Sequence, residues 1–153
     1  MPKILILIAV VAFLLGGCGV VTQLAMDAKK GDIPAMTDKI AKGADVNEKN
    51  RIGYTALHVA VVNGQTEAII FLIERGADVN IASNYGITPL IEAAHKGDEQ
   101  MVLLLLGKGA DPAAACSVGY TAADYALKQG HRKLADLLRG EEKKRRSGNV
   151  SRP

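Results

Sequence analysis

Apolar and polar residues along this chain fall into a block that returns every 33 positions. Its most apolar parts are EAIIFLIER at 67–75 and EQMVLLLLGK at 99–108, each followed by Gly-Ala-Asp and each preceded by a shorter Ala/Leu-rich stretch that begins after a threonine. The flanking segments keep the same spacing. GADVN at 43–47 returns at 76–80 and as GADPA at 109–113, while GYTALH at 53–58 returns as GITPLI at 86–91 and GYTAAD at 119–124. A fixed period of this length predicts stacked supersecondary units, each burying its apolar face on its neighbours.

The punctuation of each unit predicts its elements. Thr22, Thr55, Thr88 and Thr121 each stand before an Ala/Leu-rich stretch, where a threonine oxygen can accept a bond from a free amide of the first helical turn. Pro89 follows Thr88, and the first helical position suits proline because that amide has no intrahelical partner. Gly31, Gly64, Gly97 and Gly130 each come nine residues later, where a left-handed residue closes a short helix. A second, more apolar helix then runs to Gly76 or Gly109, and a turn-rich finger leads to Gly53, Gly86 or Gly119. The unit is helix, turn, helix, extended loop.

The stretch GYTALHVAVVNGQTEAIIFLIERGADVN closely resembles the ankyrin repeat. The resemblance covers roughly residues 20–139, with two full central repeats and a partial one at each end, and implies an all-α repeat solenoid of about four stacked units. The family's Thr-Pro occurs only at Thr88-Pro89 and its histidine only at His58, with Ile91 and Asp124 as counterparts. Where Ile70 and Leu103 stand in the middle units the last has Asp136, and where Ile73 and Leu106 stand it has Arg139. Charge in these columns predicts an end cap with no further unit beyond it. At the other end Asp38 and Lys39 replace Phe71/Leu72 and Leu104/Leu105, so the first helix pair is either a polar cap or loosely packed.

A different segment precedes the repeats. Residues 4–15, ILILIAVVAFLL, carry no charge and follow Lys3 and the terminal amine, the layout of a secretory signal. Leu15-Gly16-Gly17-Cys18 resembles the bacterial lipobox, which implies a signal peptide over 1–17 and lipidation of Cys18. With Gly19 next, the resemblance favours the periplasmic face of the outer membrane. Plain cleavage and an uncleaved anchor are the alternatives, since the uncharged run from Ile4 to Val21 is long enough for a short membrane span. All three readings place the repeats outside the cytoplasm.

Chemistry of the chain's own is not expected. No HExxH, CxxC or Ser/His/Asp spacing is present, the glycines serve as punctuation, and His58, His95 and His131 fall in different registers of the repeat, so neither an enzyme nor a metal or other cofactor is expected. With Cys18 lipidated, Cys116 in the finger segment AAACSVG has no partner. An incidental loop residue and a redox-sensing thiol are the two readings of such a cysteine. The absence of Trp and the presence of only two Phe suit a thin stack filled by Ala, Leu, Ile and Val. The net charge of +3 is concentrated in residues 139–153, whose six basic and two acidic residues leave the remainder at about −1. The ankyrin domain is therefore expected over 18–139 and a basic disordered tail over 140–153. In that tail Lys143, Lys144, Arg145 and Arg146 are candidates for contact with anionic head groups, and nucleic acid is not expected as a partner.

In the family the finger tips and the adjoining edge of the first helix contact partners. The columns that match are Arg51, Ile52 and Tyr54, then Asn84, Tyr85 and Ile87, then Ser117, Val118 and Tyr120. Two of the three columns are apolar or aromatic throughout, as interface anchors are. Val62/Asn63, His95/Lys96 and Lys128/Gln129 would extend them along a concave face. The alternative is that the side chains fold down and support the stack. The expected function is a monomeric, non-catalytic scaffold at the envelope that binds one or more envelope proteins. An inhibitor or immunity protein that occludes an enzyme, and a thiol sensor acting through Cys116, are the competing readings.

Overall fold

The computed structural model describes residues 23–150, which form eight helices with turns between them and one isolated antiparallel bridge, Ala115 to Thr121. They pair as four helical hairpins: α1 (23–30) with α2 (Ile33–Ala41), α3 (Ala56–Val62) with α4 (Thr66–Glu74), α5 (Pro89–Lys96) with α6 (Glu99–Gly107), and α7 (Ala122–Lys128) with α8 (Arg132–Val150). α5 packs between α3 and α7, and the hairpins follow one another in chain order. Thr22, Cys18 and the apolar segment lie outside the described residues. Among the described residues no helix is long and apolar enough to cross a membrane.

The predicted punctuation operates locally. Thr55 and Thr88 accept bonds from the amides of His58 and Ile91 at the starts of α3 and α5. Thr121 is tied differently, its amide and hydroxyl both donating to the Asp124 carboxylate at 3.0 and 3.1 Å. Gly97 takes φ 72° at the end of α5, a conformation a Cβ would strain.

The core is a narrow row of small and branched side chains. Ala60, Ala93 and Ala126 are fully buried where the first helices meet, and Leu72, Leu105 and Leu138 are fully buried from the second helices. Burying each leucine is worth roughly 1.5–3 kcal/mol. Units are also tied by polar bonds across the repeat. Asn47 donates to the Gly76 carbonyl at 3.0 Å and accepts from the Asp78 amide at 2.8 Å, and Asn80 does the same with Gly109 and Asp111. The third unit has Ala113 in this column, and the positions it would face at this spacing, Glu142 and Lys144, lie within α8.

The two ends differ from the middle. Asp38 turns outward and pairs with Lys42 at 2.7 Å while Met36 is buried beneath, so the first hairpin is a polar cap. At the other end Asp136 and Arg139 are exposed, and Arg139 reaches Asp124 at 3.9 Å. The column of Asp136 is only partly interior, however, because Leu103 is itself 45% exposed.

The expected disordered tail from residue 140 is corrected: α8 continues to Val150. Second helices stop at Gly43, Gly76 and Gly109, all with φ near 90°, whereas the next position at this spacing is Glu142. With no left-handed glycine there, the Glu-Glu-Lys-Lys-Arg-Arg run, made of good helix formers, carries the helix on. Glu141 with Lys144, and Arg145 with Asp111 at 3.7 Å, pair along it.

Candidate functional site

Each finger is a tight turn built around one acceptor side chain. Asn50 Oδ1 accepts the amides of Ile52 and Tyr54 at 3.0 and 2.9 Å, and Ser83 Oγ accepts those of Tyr85 and Ile87 at 3.3 and 3.2 Å. Cys116 occupies the same column, and its sulfur accepts from the backbone at Val118 and Tyr120. The turns close through backbone bonds from Asn50 to Tyr54, Ser83 to Ile87 and Cys116 to Tyr120, each 2.8–2.9 Å. Successive fingers are joined at their tips, where the Asn84 amide donates to the Ile52 carbonyl at 3.1 Å and the Ser117 amide to the Tyr85 carbonyl at 2.9 Å. The approach leaves no room for a side chain at Gly53 or Gly86. A Cβ on Gly53 would stand 2.4 Å from the Asn84 nitrogen, and one on Gly86 2.7 Å from the Ser117 nitrogen.

This geometry separates the two apolar columns. At the turn apex Ile52, Tyr85 and Val118 point away from the stack and are 46%, 63% and 70% exposed. Arg51, Asn84 and Ser117 beside them are also exposed, although the Asn84 amide group donates to the Arg51 carbonyl at 2.8 Å. The second column behaves differently because it leads straight into the first helix. Ile87 is half-buried against the core. Tyr54 is half-buried, stacks on the His58 ring with centroids 4.9 Å apart, and donates its hydroxyl to Glu92. For Tyr54 and Ile87 the expectation of free contact residues is therefore corrected to one of support. Tyr120 remains 40% exposed, with the Lys128 ammonium 4.7 Å from its ring centre and the Tyr125 ring edge-on at 6.0 Å.

Behind this row His58 is a buried link between units. Its Nδ1 accepts the Thr55 amide at 3.2 Å, and its Nε2 lies 3.0 Å from the Ile87 carbonyl, to which it donates. Burial pushes its pKa down to about 4 against the opposing pull of the Ile87 carbonyl, so the ring is neutral at physiological pH. Tyr54 is raised well above the ordinary phenol value, by burial first and then by Glu92. Among the described residues no three His, Cys, Asp or Glu side chains are placed to hold a metal.

At the ends of the first helices, where the repeat places the expected concave edge, the units are tied by bonds that no single repeat reveals. Lys96 Nζ donates to the Val62 carbonyl at 2.8 Å, and Gln129 meets the His95 ring at 2.9 Å. Val62 and Leu127 are exposed between them. Cys116 does not stand free at a finger tip: it is buried and accepts a bond from the Tyr125 hydroxyl at 3.7 Å. Burial pushes its thiol up, yet the bonds from Val118, Tyr125 and Tyr120 outweigh burial and hold it below its ordinary value. The signal for its inward position was the register it shares with Asn50 and Ser83.

The family model described as Ankyrin repeats (3 copies) matches residues 24–116. No curated protein matches the chain.

Proposed function

The chain belongs to the ankyrin-repeat family, and we propose that it is a non-catalytic interaction scaffold held at the bacterial envelope, binding a periplasmic or membrane protein through its finger tips and adjoining concave edge. The supporting observation is the row Ile52, Tyr85 and Val118, continued by Tyr120, exposed on fingers that bond to one another through their backbones. Apolar and aromatic side chains on preorganised loops gain burial on contact while losing little further freedom. Lipid attachment at Cys18, on the periplasmic face of the outer membrane, would raise the local concentration of the scaffold near membrane partners. The exposed Lys143, Lys144 and Arg146 of α8 would add attraction to anionic head groups, about 1 kcal/mol per residue near a charged surface.

Co-purification from envelope extracts tests this reading. The tagged full-length chain is compared with a Tyr85→Ala, Val118→Ala, Tyr120→Ala variant whose circular dichroism is unchanged. A protein captured by the first and lost from the second is the expected result. The same proteins with both would remove the finger surface from consideration. Partition into detergent and the mass of the mature chain, with Cys18→Ser as control, test the anchor. If the captured protein is an enzyme, its activity in the presence of the scaffold shows whether binding occludes its active site.

A further inference from the structure

The chain has four tyrosines and no tryptophan, and two of the tyrosines lie near one carboxylate. Glu92 projects from the first turn of α5, in the middle of the stack, and is half-buried. Tyr54 of the preceding finger donates its hydroxyl to Glu92 Oε1. On the other side stands Tyr125 of α7: its phenol is raised by its bond to Cys116 first, then by burial, and also by the nearby charge of Glu92. Tyr120 meets Tyr125 edge-on. The carboxylate thus sits between tyrosines contributed by the units on either side of its own.

No cation among the described residues forms an ion pair with it. Lys96 follows Glu92 at the i, i+4 spacing that commonly pairs on a helix, but its ammonium is spent on the Val62 carbonyl. Among the described residues no lysine, arginine or histidine nitrogen lies within 4.0 Å of the Glu92 carboxylate; the ion pairs found are those of Asp38, Asp124, Glu141 and Asp111. A half-buried carboxylate that accepts one phenol bond and has no ion-pair partner is suited to a cation that brings several donors. Guanidinium supplies a planar fork of donors that matches a carboxylate, which the compact ammonium does not.

We infer that Glu92, with Tyr54 and Tyr125 beside it, is the recognition point for an arginine side chain of the partner protein, whose neighbouring apolar residues lie against the finger row at Tyr85 and Tyr120. This inference rests on the reading of the concave edge and fingers as the interaction surface. It adds a charge requirement that the surface reading alone does not make.

The experiment is selection of a random peptide library on the full chain in detergent, followed by affinity measurement of the selected peptides on the parent, on Glu92→Gln and on Tyr85→Ala. Glutamine keeps an acceptor for Tyr54 and the shape of the side chain, so the fold is retained. Expected peptides carry an arginine at a fixed position beside apolar residues, and bind Glu92→Gln about ten- to a hundredfold more weakly, as loss of a charge-assisted bond requires. Replacing that arginine by glutamine in the peptide should have little further effect on the Glu92→Gln variant. Peptides that lack a basic residue, that are enriched in acidic residues, or that bind Glu92→Gln as well as the parent overturn the inference. If such peptides still weaken on Tyr85→Ala, the surface reading survives without it. If no selected peptide responds to Tyr85→Ala or to Glu92→Gln, both fall.

Discussion

Two columns of side chains separated by two residues, Ile52/Tyr85/Val118 and Tyr54/Ile87/Tyr120, look alike in composition and have different roles. The first stands at the apex of each finger turn and is exposed throughout. The second joins the finger to the N-cap threonine, and in the interior units its side chains lie on the stack: Tyr54 on His58 and Glu92, Ile87 against the core. Only Tyr120, in the last finger, is partly released. A neighbour on each side is what turns this second column into structure, so the same motif position supports the fold inside the stack and becomes surface at its end.

The sharpest way to break the finger row is to force neighbouring fingers apart. Gly53→Ala and Gly86→Ala each add a Cβ into the backbone of the next finger at a φ above +70°. Each should cost about 3 kcal/mol or more, from strain plus displacement of the ladder. Gly119 has φ +84° but nothing within 4 Å of a Cβ, so Gly119→Ala should cost only the conformational part, about 1 kcal/mol. Urea unfolding of the three variants measures both. Equal losses at all three would show that contact between fingers is not what matters.

A second test acts on the support beneath Tyr54. His58 is neutral when folded, with its pKa near 4 against 6.5 for the free side chain. The unfolded chain therefore binds a proton below about pH 6.5 that the folded chain does not accept until near pH 4. Its contribution is whole above 6.5, declines as the pH falls, and is lost by about pH 4. The linked loss is roughly 2 kcal/mol at pH 5 and 3 kcal/mol near pH 4. A His58→Gln variant should be less stable at pH 7 and lose less between pH 7 and 5 than the parent. Parallel curves would remove His58 from the pH response.

The repeat, its helix starts and its turns were legible in the 33-residue spacing, because threonine caps and glycine stops act locally and leave a direct mark in sequence. Two features were legible only by following a column to its end. Glu142 stands where Gly43, Gly76 and Gly109 end earlier helices, and the absent glycine foretold the continued helix. Cys116 shares a column with Asn50 and Ser83, whose side chains hold the finger turns, which foretold a sulfur facing inward. Leu103 shows the converse, since an apolar residue in an otherwise apolar helix carries no local mark of exposure. The separation of Tyr54 from Ile52 was not legible, because it depends on how the extended finger turns into the helix. Tertiary placement of Glu92 between Tyr54 and Tyr125 joins residues from three repeats and leaves no pattern within any one of them.

Within the supporting column Ile87 gives a moderate effect. It is half-buried and its carbonyl receives the His58 ring, so Ile87→Ala keeps the backbone bond and loses only packing. The expected cost is about 1–2 kcal/mol, below that for a fully buried isoleucine. Thermal unfolding beside Val118→Ala, whose residue is 70% exposed, reads the difference between columns directly, and equal losses would erase it.

The smallest expected effect on stability carries the most weight for function. Tyr85 is 63% exposed, and no bond of its phenol to the stack supports it, while its backbone carbonyl still receives the Ser117 amide whatever the side chain. Tyr85→Ala should therefore leave stability within about 0.5 kcal/mol and yet remove a rigid aromatic anchor from the centre of the finger row. Tyr54→Phe sets the opposite case, losing the hydroxyl bond to Glu92 at about 1 kcal/mol of stability while leaving the tip row in place. If Tyr85→Ala abolishes partner capture at unchanged unfolding midpoint, the apex column is a binding surface and the adjacent column is its support. A Tyr85→Ala variant that unfolds more easily and still captures the partner would reverse that assignment.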